Sequence, residues 1–101
     1  MLSTIEKAIT ERIIKTALSA SYLVGAAADD SADIEPTDNL GEILDSAFAY
    51  DCVDLILSGN GISGFIALNY FNEGLDIITD YSTNLEPLIQ SISYKSLVID
   101  L

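Results

Sequence analysis

Ser58-Gly59-Asn60-Gly61-Ile62-Ser63-Gly64 is the stretch on which the reading of the chain turns. It contains the spacing G-x-G-x-x-G, which in a dinucleotide-binding unit lets a helix N-terminus meet a pyrophosphate. That use requires a strand before it and a long alternating β/α chain after it. Here residues 50–58 read as helix and only 37 residues follow. The stretch therefore reads as a glycine-stopped helix and turn, with no cofactor.

Working outward, the spacing predicts helices on both sides. On the N-terminal side, Ser3 and Glu6 form a capping-box pattern, and Ile5, Ile9, Ile13, Ala17, Ala20, Val24 and Ala27 recur three or four apart, which predicts one helix over 3–28. An acidic loop over 29–38 ends at Pro36, and Asp38 or Asn39 caps a second helix with Leu40, Ile43, Leu44 and Ala47 on one face. Continued without a break, that helix would turn Asp51 and Asp54 onto its apolar face, so a kink near 48–50 and a new helix over about 50–58 are expected. On the C-terminal side, the apolar stretch Phe65 to Phe71 fits either a buried irregular segment or a short strand. Asn72 is the expected cap of a short helix to Tyr81, with Leu75, Ile78 and Tyr81 inward. Asn84 is the expected cap of a last one, with Pro87 in its first turn and Leu85, Leu88, Ile89, Ile92 and Ile99 inward. The expected fold is a single all-α domain over 1–101, with four to five helices.

Half of the residues are apolar and the mean hydropathy is positive, so the chain folds despite a net charge of −12. The longest candidate for a membrane span, Thr16 to Ala28, has 13 residues against roughly 20 needed, and the N-terminus lacks the layout of a signal peptide. A cytoplasmic location is expected. Cys52 has no cysteine to pair with and reads as a buried small hydrophobe.

Charge placement is the most informative feature. Residues 1–28 carry two acids and three bases, whereas residues 29–101 carry fourteen acids and one base, Lys95. Such a field repels nucleic acid and attracts basic surfaces. Asp29, Ser31 and Asp33 resemble the start of a calcium loop, but Ile34 and Leu40 stand where that loop needs glycine and a bidentate glutamate. Zinc lacks ligands, with no histidine and one cysteine. Asp45-Ser46 is similar to the attachment site of acyl carrier proteins, although Ala47 follows where they have leucine. No metal, cofactor or catalytic residue is expected.

The carboxylates remain. Asp38, Glu42 and Asp45 form one expected helical stripe, and Glu73, Asp76 and Asp80 a second; carboxylates three or four residues apart on a helix lie about 4.5–6 Å apart along its axis, on the scale of phosphates along DNA. The candidate partner-binding set is Asp29, Asp30, Asp33, Glu35, Asp38, Glu42, Asp45, Asp51, Asp54, Glu73, Asp76, Asp80 and Glu86. Tyr50, Val53, Ile56, Leu57 and Phe65, with Ile66 and Phe71, exceed what one small core holds. A homodimer is therefore expected, with the first five residues at its interface.

The chain also resembles the Ocr family of phage anti-restriction proteins. The resemblance is carried by Asp33-Ile34-x-x-Thr37-Asp38-Asn39-Leu40-x-Glu42, by Gly61-Ile62, and by Ile89-Gln90-x-x-x-Tyr94-x-x-Leu97-x-Ile99-Asp100-Leu101. It implies a homodimer that imitates bent DNA and blocks the DNA channel of a restriction-modification or related phage-defence enzyme, without binding nucleic acid or membrane itself. The alternatives are an acidic adaptor for a basic protein and an acyl-carrier-like protein.

Overall fold

The structure, a computed structural model, describes residues 4–29 and 31–92. The expected all-α domain is not what these residues form. They build an α/β fold in which helices cover one face of a five-stranded antiparallel sheet.

Helix α1 (Thr4–Ser19) buries Ile9, Ile13, Ile14 and Ala17, as its spacing requires. It does not run to residue 28. The Tyr22 N–H donates to the Ala17 carbonyl at 3.0 Å and the Ser21 N–H to that of Leu18 at 3.1 Å, with Ser21 at φ 72°. This is the paired hydrogen-bond closure of a helix C-terminus, formed here on a serine in place of glycine. Ser3 and its capping box lie outside the described residues.

The chain then enters β1 (Leu23–Ala28), which pairs with β2 (Ser31–Thr37) in an antiparallel hairpin. A Cβ on Gly25 would stand 2.7 Å from the Ile34 carbonyl oxygen, so only glycine admits β2 this close. Pro36 is tolerated because β2 is an edge strand. Helix α2 (Leu40–Ala47) starts as expected at Asn39, whose side chain accepts the Glu42 N–H at 3.1 Å. It crosses from β2 to β3 (Cys52–Gly59), which runs parallel to β2 on the far side of β1.

The expected helix over 50–58 is therefore a strand, and the glycine-rich stretch is a hairpin turn into β4 (Ile62–Asn69). Gly59 pairs with Ile62 around Asn60 and Gly61, at φ 55° and 76°. Positive φ at both central residues is the mirror-image turn that suits the twist of a two-residue hairpin, and Asn-Gly is its preferred dipeptide. The Asn60 amide also donates to the Ala20 carbonyl at 2.9 Å, so the turn caps the end of α1.

The expected helix to Tyr81 is a 3-10 turn (Gly74–Ile77) followed by β5 (Ile78–Tyr81). A second 3-10 turn (Thr83–Leu85) leads into helical residues 86–92. Asn84 does not cap that helix; its amide donates to the Ser63 carbonyl at 3.3 Å. Leu85, Ile89 and Ile92 are buried as expected, whereas Ile99 lies outside the described residues.

The sheet order is β2-β1-β3-β4-β5. Alternate strand residues Val24, Ala26, Val53, Leu55, Leu57, Ile66 and Leu68 form one core with the buried faces of α1 and α2 and with Ile77, Leu85, Ile89 and Ile92. The other sheet face carries Ala27, Asp54, Ile56, Phe65, Ala67 and Asp80. No described helix is long and apolar enough to cross a membrane.

Candidate functional site

Every candidate carboxylate among the described residues is exposed; Asp30 lies outside them. The fold brings only some of them together. Glu73, Asp76 and Asp80 do not form a helical stripe: Glu73 precedes the 3-10 turn, Asp76 is within it and Asp80 is on β5. Of the other stripe, Glu42 and Asp45 lie on α2, and Asp38 precedes its cap. Glu35 is on the edge strand and Glu86 follows the second 3-10 turn. Asp54 and Asp80 share a cross-strand row with Ala27 and Ala67 on the bare sheet face.

Five acids gather at one end of the sheet, around Tyr50. A depression of about 360 Å³ is lined by Asp33, Ile34, Glu42, Asp45, Ser46, Ala49 and Tyr50. A second, of about 370 Å³, is lined by Asp29, Ala49, Tyr50, Asp51 and Cys52. Ala49 and Tyr50 belong to both, so the two form one continuous acidic surface.

A β-bulge builds its centre. Ala27 pairs with Ala32 and Ala26 with Ile34, which leaves Asp33 as the extra residue of β2. A bulge re-aims the side chain it carries. Asp33 accepts hydrogen bonds from the hydroxyls of Ser46, at the end of α2, and of Tyr50, the latter at 2.8 Å. These bonds, Ser46 first, hold the Asp33 carboxyl below the usual carboxylate range. The same bond raises the Tyr50 phenol, with the charges of Asp33 and Asp29 and some desolvation acting in the same direction. Asp33 thus ties the edge strand to the end of α2 and to Tyr50 in the midst of the other four acids.

All five acids are among the partner-binding candidates named from the sequence; the hydroxyls of Ser46 and Tyr50 that hold Asp33 are not. Nothing in the sequence marks a bulge, so Asp33 carried no sign of meeting Ser46 and Tyr50. Ser46 is buried, with its hydroxyl given to Asp33, which leaves it badly placed as a carrier-protein attachment point. Of the expected dimer contacts, Val53 and Leu57 are buried in the core at 2% and 0% exposure and are not available to a partner. Ile56 and Phe65 are neighbours on the bare sheet face, and Tyr50 belongs to the acidic surface. Cys52 is exposed at the margin of this surface, not buried as expected.

Carboxylates accept hydrogen bonds and bring negative charge. Nothing that lines the two depressions is basic, so what they fit is a set of cationic donors, above all Lys and the bidentate Arg. Among the described residues no three acids or cysteines are grouped closely enough to hold a metal ion. Compared with known family models, with curated proteins and with solved structures, the chain matches none.

Proposed function

We propose that this protein acts by binding, as an acidic decoy for the DNA-binding surface of another protein. The observation that carries the reading is the convergence of Asp29, Asp33, Glu42, Asp45 and Asp51 around Tyr50 with no base among the lining residues. A surface that grips phosphates presents Lys and Arg, and oxyanions held on a rigid scaffold compete for them. The short matches to the Ocr family direct the reading to a restriction-modification or related defence enzyme. Helical spacing of the carboxylates does not support it, because Glu73, Asp76 and Asp80 are not on a helix face. What supports mimicry is the density of charge, together with the clamp that holds Asp33 in place.

Capture of partners from a lysate of the cell in which the protein works, followed by identification and competition, tests this. The expected partner is a DNA-binding enzyme, released by excess non-cleavable duplex DNA. A partner that duplex DNA does not displace makes the protein an adaptor for a basic surface instead.

A further inference from the structure

Two of the three exposed large hydrophobic side chains among the described residues, Phe71 at 70% and Ile5 at 64%, line one cavity of about 500 Å³. Its other walls are Glu6, Tyr70, Asn72, Glu73 and Gly74. The cavity is preformed. Glu6 accepts the Gly74 N–H at 2.7 Å, and the Thr10 and Tyr70 hydroxyls meet at 3.2 Å, so the start of α1 is tied to the chain that leaves β4. It also adjoins the acidic surface: the Tyr70 N–H donates to the Asp51 carbonyl at 2.8 Å, and Cys52 pairs with Asn69. Binding surfaces concentrate affinity in a few apolar anchors ringed by polar contacts. The acidic surface has the ring, and this cavity has the anchor.

We infer that the groove between Ile5 and Phe71 takes one large apolar side chain of a basic protein segment, whose adjoining Lys or Arg meets the exposed Glu73. The inference rests on the reading of the acidic surface as a binding site and names the kind of segment it takes. Charge complementarity selects that occupant, since no base lines the groove and its exposed charged residue, Glu73, is a carboxylate. It disfavours a second copy of this chain, which carries a net charge of −12 and whose α1 bases are already engaged: Lys15 pairs with Glu11 at 2.7 Å, and Lys7 lies over the Phe48 ring.

Two synthetic peptides of equal positive charge test it, one alternating lysine with leucine and one alternating lysine with serine, titrated calorimetrically. The leucine peptide is expected to bind about tenfold tighter or more, the gain from burying one aliphatic side chain. That advantage is expected to vanish in the double variant Ile5→Ser and Phe71→Ser. Both positions are exposed, so the fold is retained, as circular dichroism will verify. The triple variant Glu42→Gln, Asp45→Asn and Asp51→Asn is expected to weaken both peptides alike and keep the ratio. Equal affinity of the wild-type protein for both peptides, or an advantage that survives the double variant, overturns the inference. So does a wild-type dimer that Phe71→Ser dissolves, which would make a second copy the occupant. A triple variant that weakens neither peptide overturns the reading of the acidic surface and leaves the groove standing.

Discussion

Replacing Leu55 with alanine is expected to cost about 2–5 kcal/mol, while the same change at its neighbour Ile56 costs about 1–2 kcal/mol. Leu55 sits in the middle of β3, paired with Ala26 on one side and Ile66 on the other, and is 0% exposed. Burying a leucine contributes about 1.5–3 kcal/mol, and the cavity left behind adds to its loss, because strands on both sides hinder collapse. Ile56 is half-buried on the other face and loses part of its burial, its contact with Phe65 and some strand preference. A domain of this size holds about 5–15 kcal/mol in total, so the first change consumes a large share of it. Each kcal/mol shifts the melting temperature by about 4–8 °C. Urea unfolding followed by far-ultraviolet circular dichroism reads both variants, with the slope expected to stay constant. Equal losses at the two positions would refute the alternation, and with it the assignment of 52–59 as a strand with one covered face.

Asn60→Ala is expected to destabilise by about 1 kcal/mol or somewhat more, since it removes the bond to the Ala20 carbonyl and places alanine at positive φ; thermal unfolding checks it. The carboxyl of Asp33 is held low in the folded state, so the stability it contributes is present above the usual carboxylate range and is lost as pH falls through its lowered value. A melting-temperature gap between wild type and Asp33→Asn that closes in acid is the expected record. Tyr50 and Tyr70 are both raised, Tyr50 by its bond to Asp33 and Tyr70 by burial. The stability tied to these two phenols is therefore present below the ordinary tyrosine range and is lost as pH rises through their raised values. Absorbance titration of Asp33→Asn is expected to move one tyrosine, Tyr50, downward and to leave Tyr70 in place.

The sequence made legible whatever followed from helical spacing in a true helix. Ile9, Ile13 and Ala17 fall on the buried face of α1, Ile43 and Ala47 on that of α2, and Asn39 caps α2. It hid the strands for identifiable reasons. Helix α1 stops on Ser21, which takes the left-handed conformation with no glycine or asparagine to mark it. The Leu-Val-Gly-Ala-Ala-Ala run of β1 is small and apolar, so its spacing continues the helical pattern and only pairing with β2 and β3 makes it extended. In β3 the alternation of Val53, Asp54, Leu55 and Leu57 is masked by Ile56, an apolar residue on the outer face. Asn60-Gly61 was the hairpin signal, obscured by the glycines that flank it at 59 and 64. Leu75, Ile78 and Tyr81 are three apart by coincidence of a 3-10 turn leading into a strand. Exposure of the candidate acids among the described residues was legible, because an unpaired carboxylate is too costly to bury. Their grouping was not, because it depends on the bulge at Asp33 and on the crossover of α2.

On the proposed function, the place of the charge, and not its total, makes the binding surface. Two variants of equal net charge test it against the captured partner: Glu42→Gln, Asp45→Asn and Asp51→Asn beside Tyr50, and Asp76→Asn, Asp80→Asn and Glu86→Gln elsewhere. Each is measured by its ability to compete with a labelled non-cleavable duplex for that partner. The first variant is expected to lose competition by about three- to a hundredfold, since three charge contacts of about 0.2–1 kcal/mol each are removed, while the second competes nearly as well as wild type. Equal loss in the two variants would contradict it and leave only the general attraction of an acidic protein for a basic one.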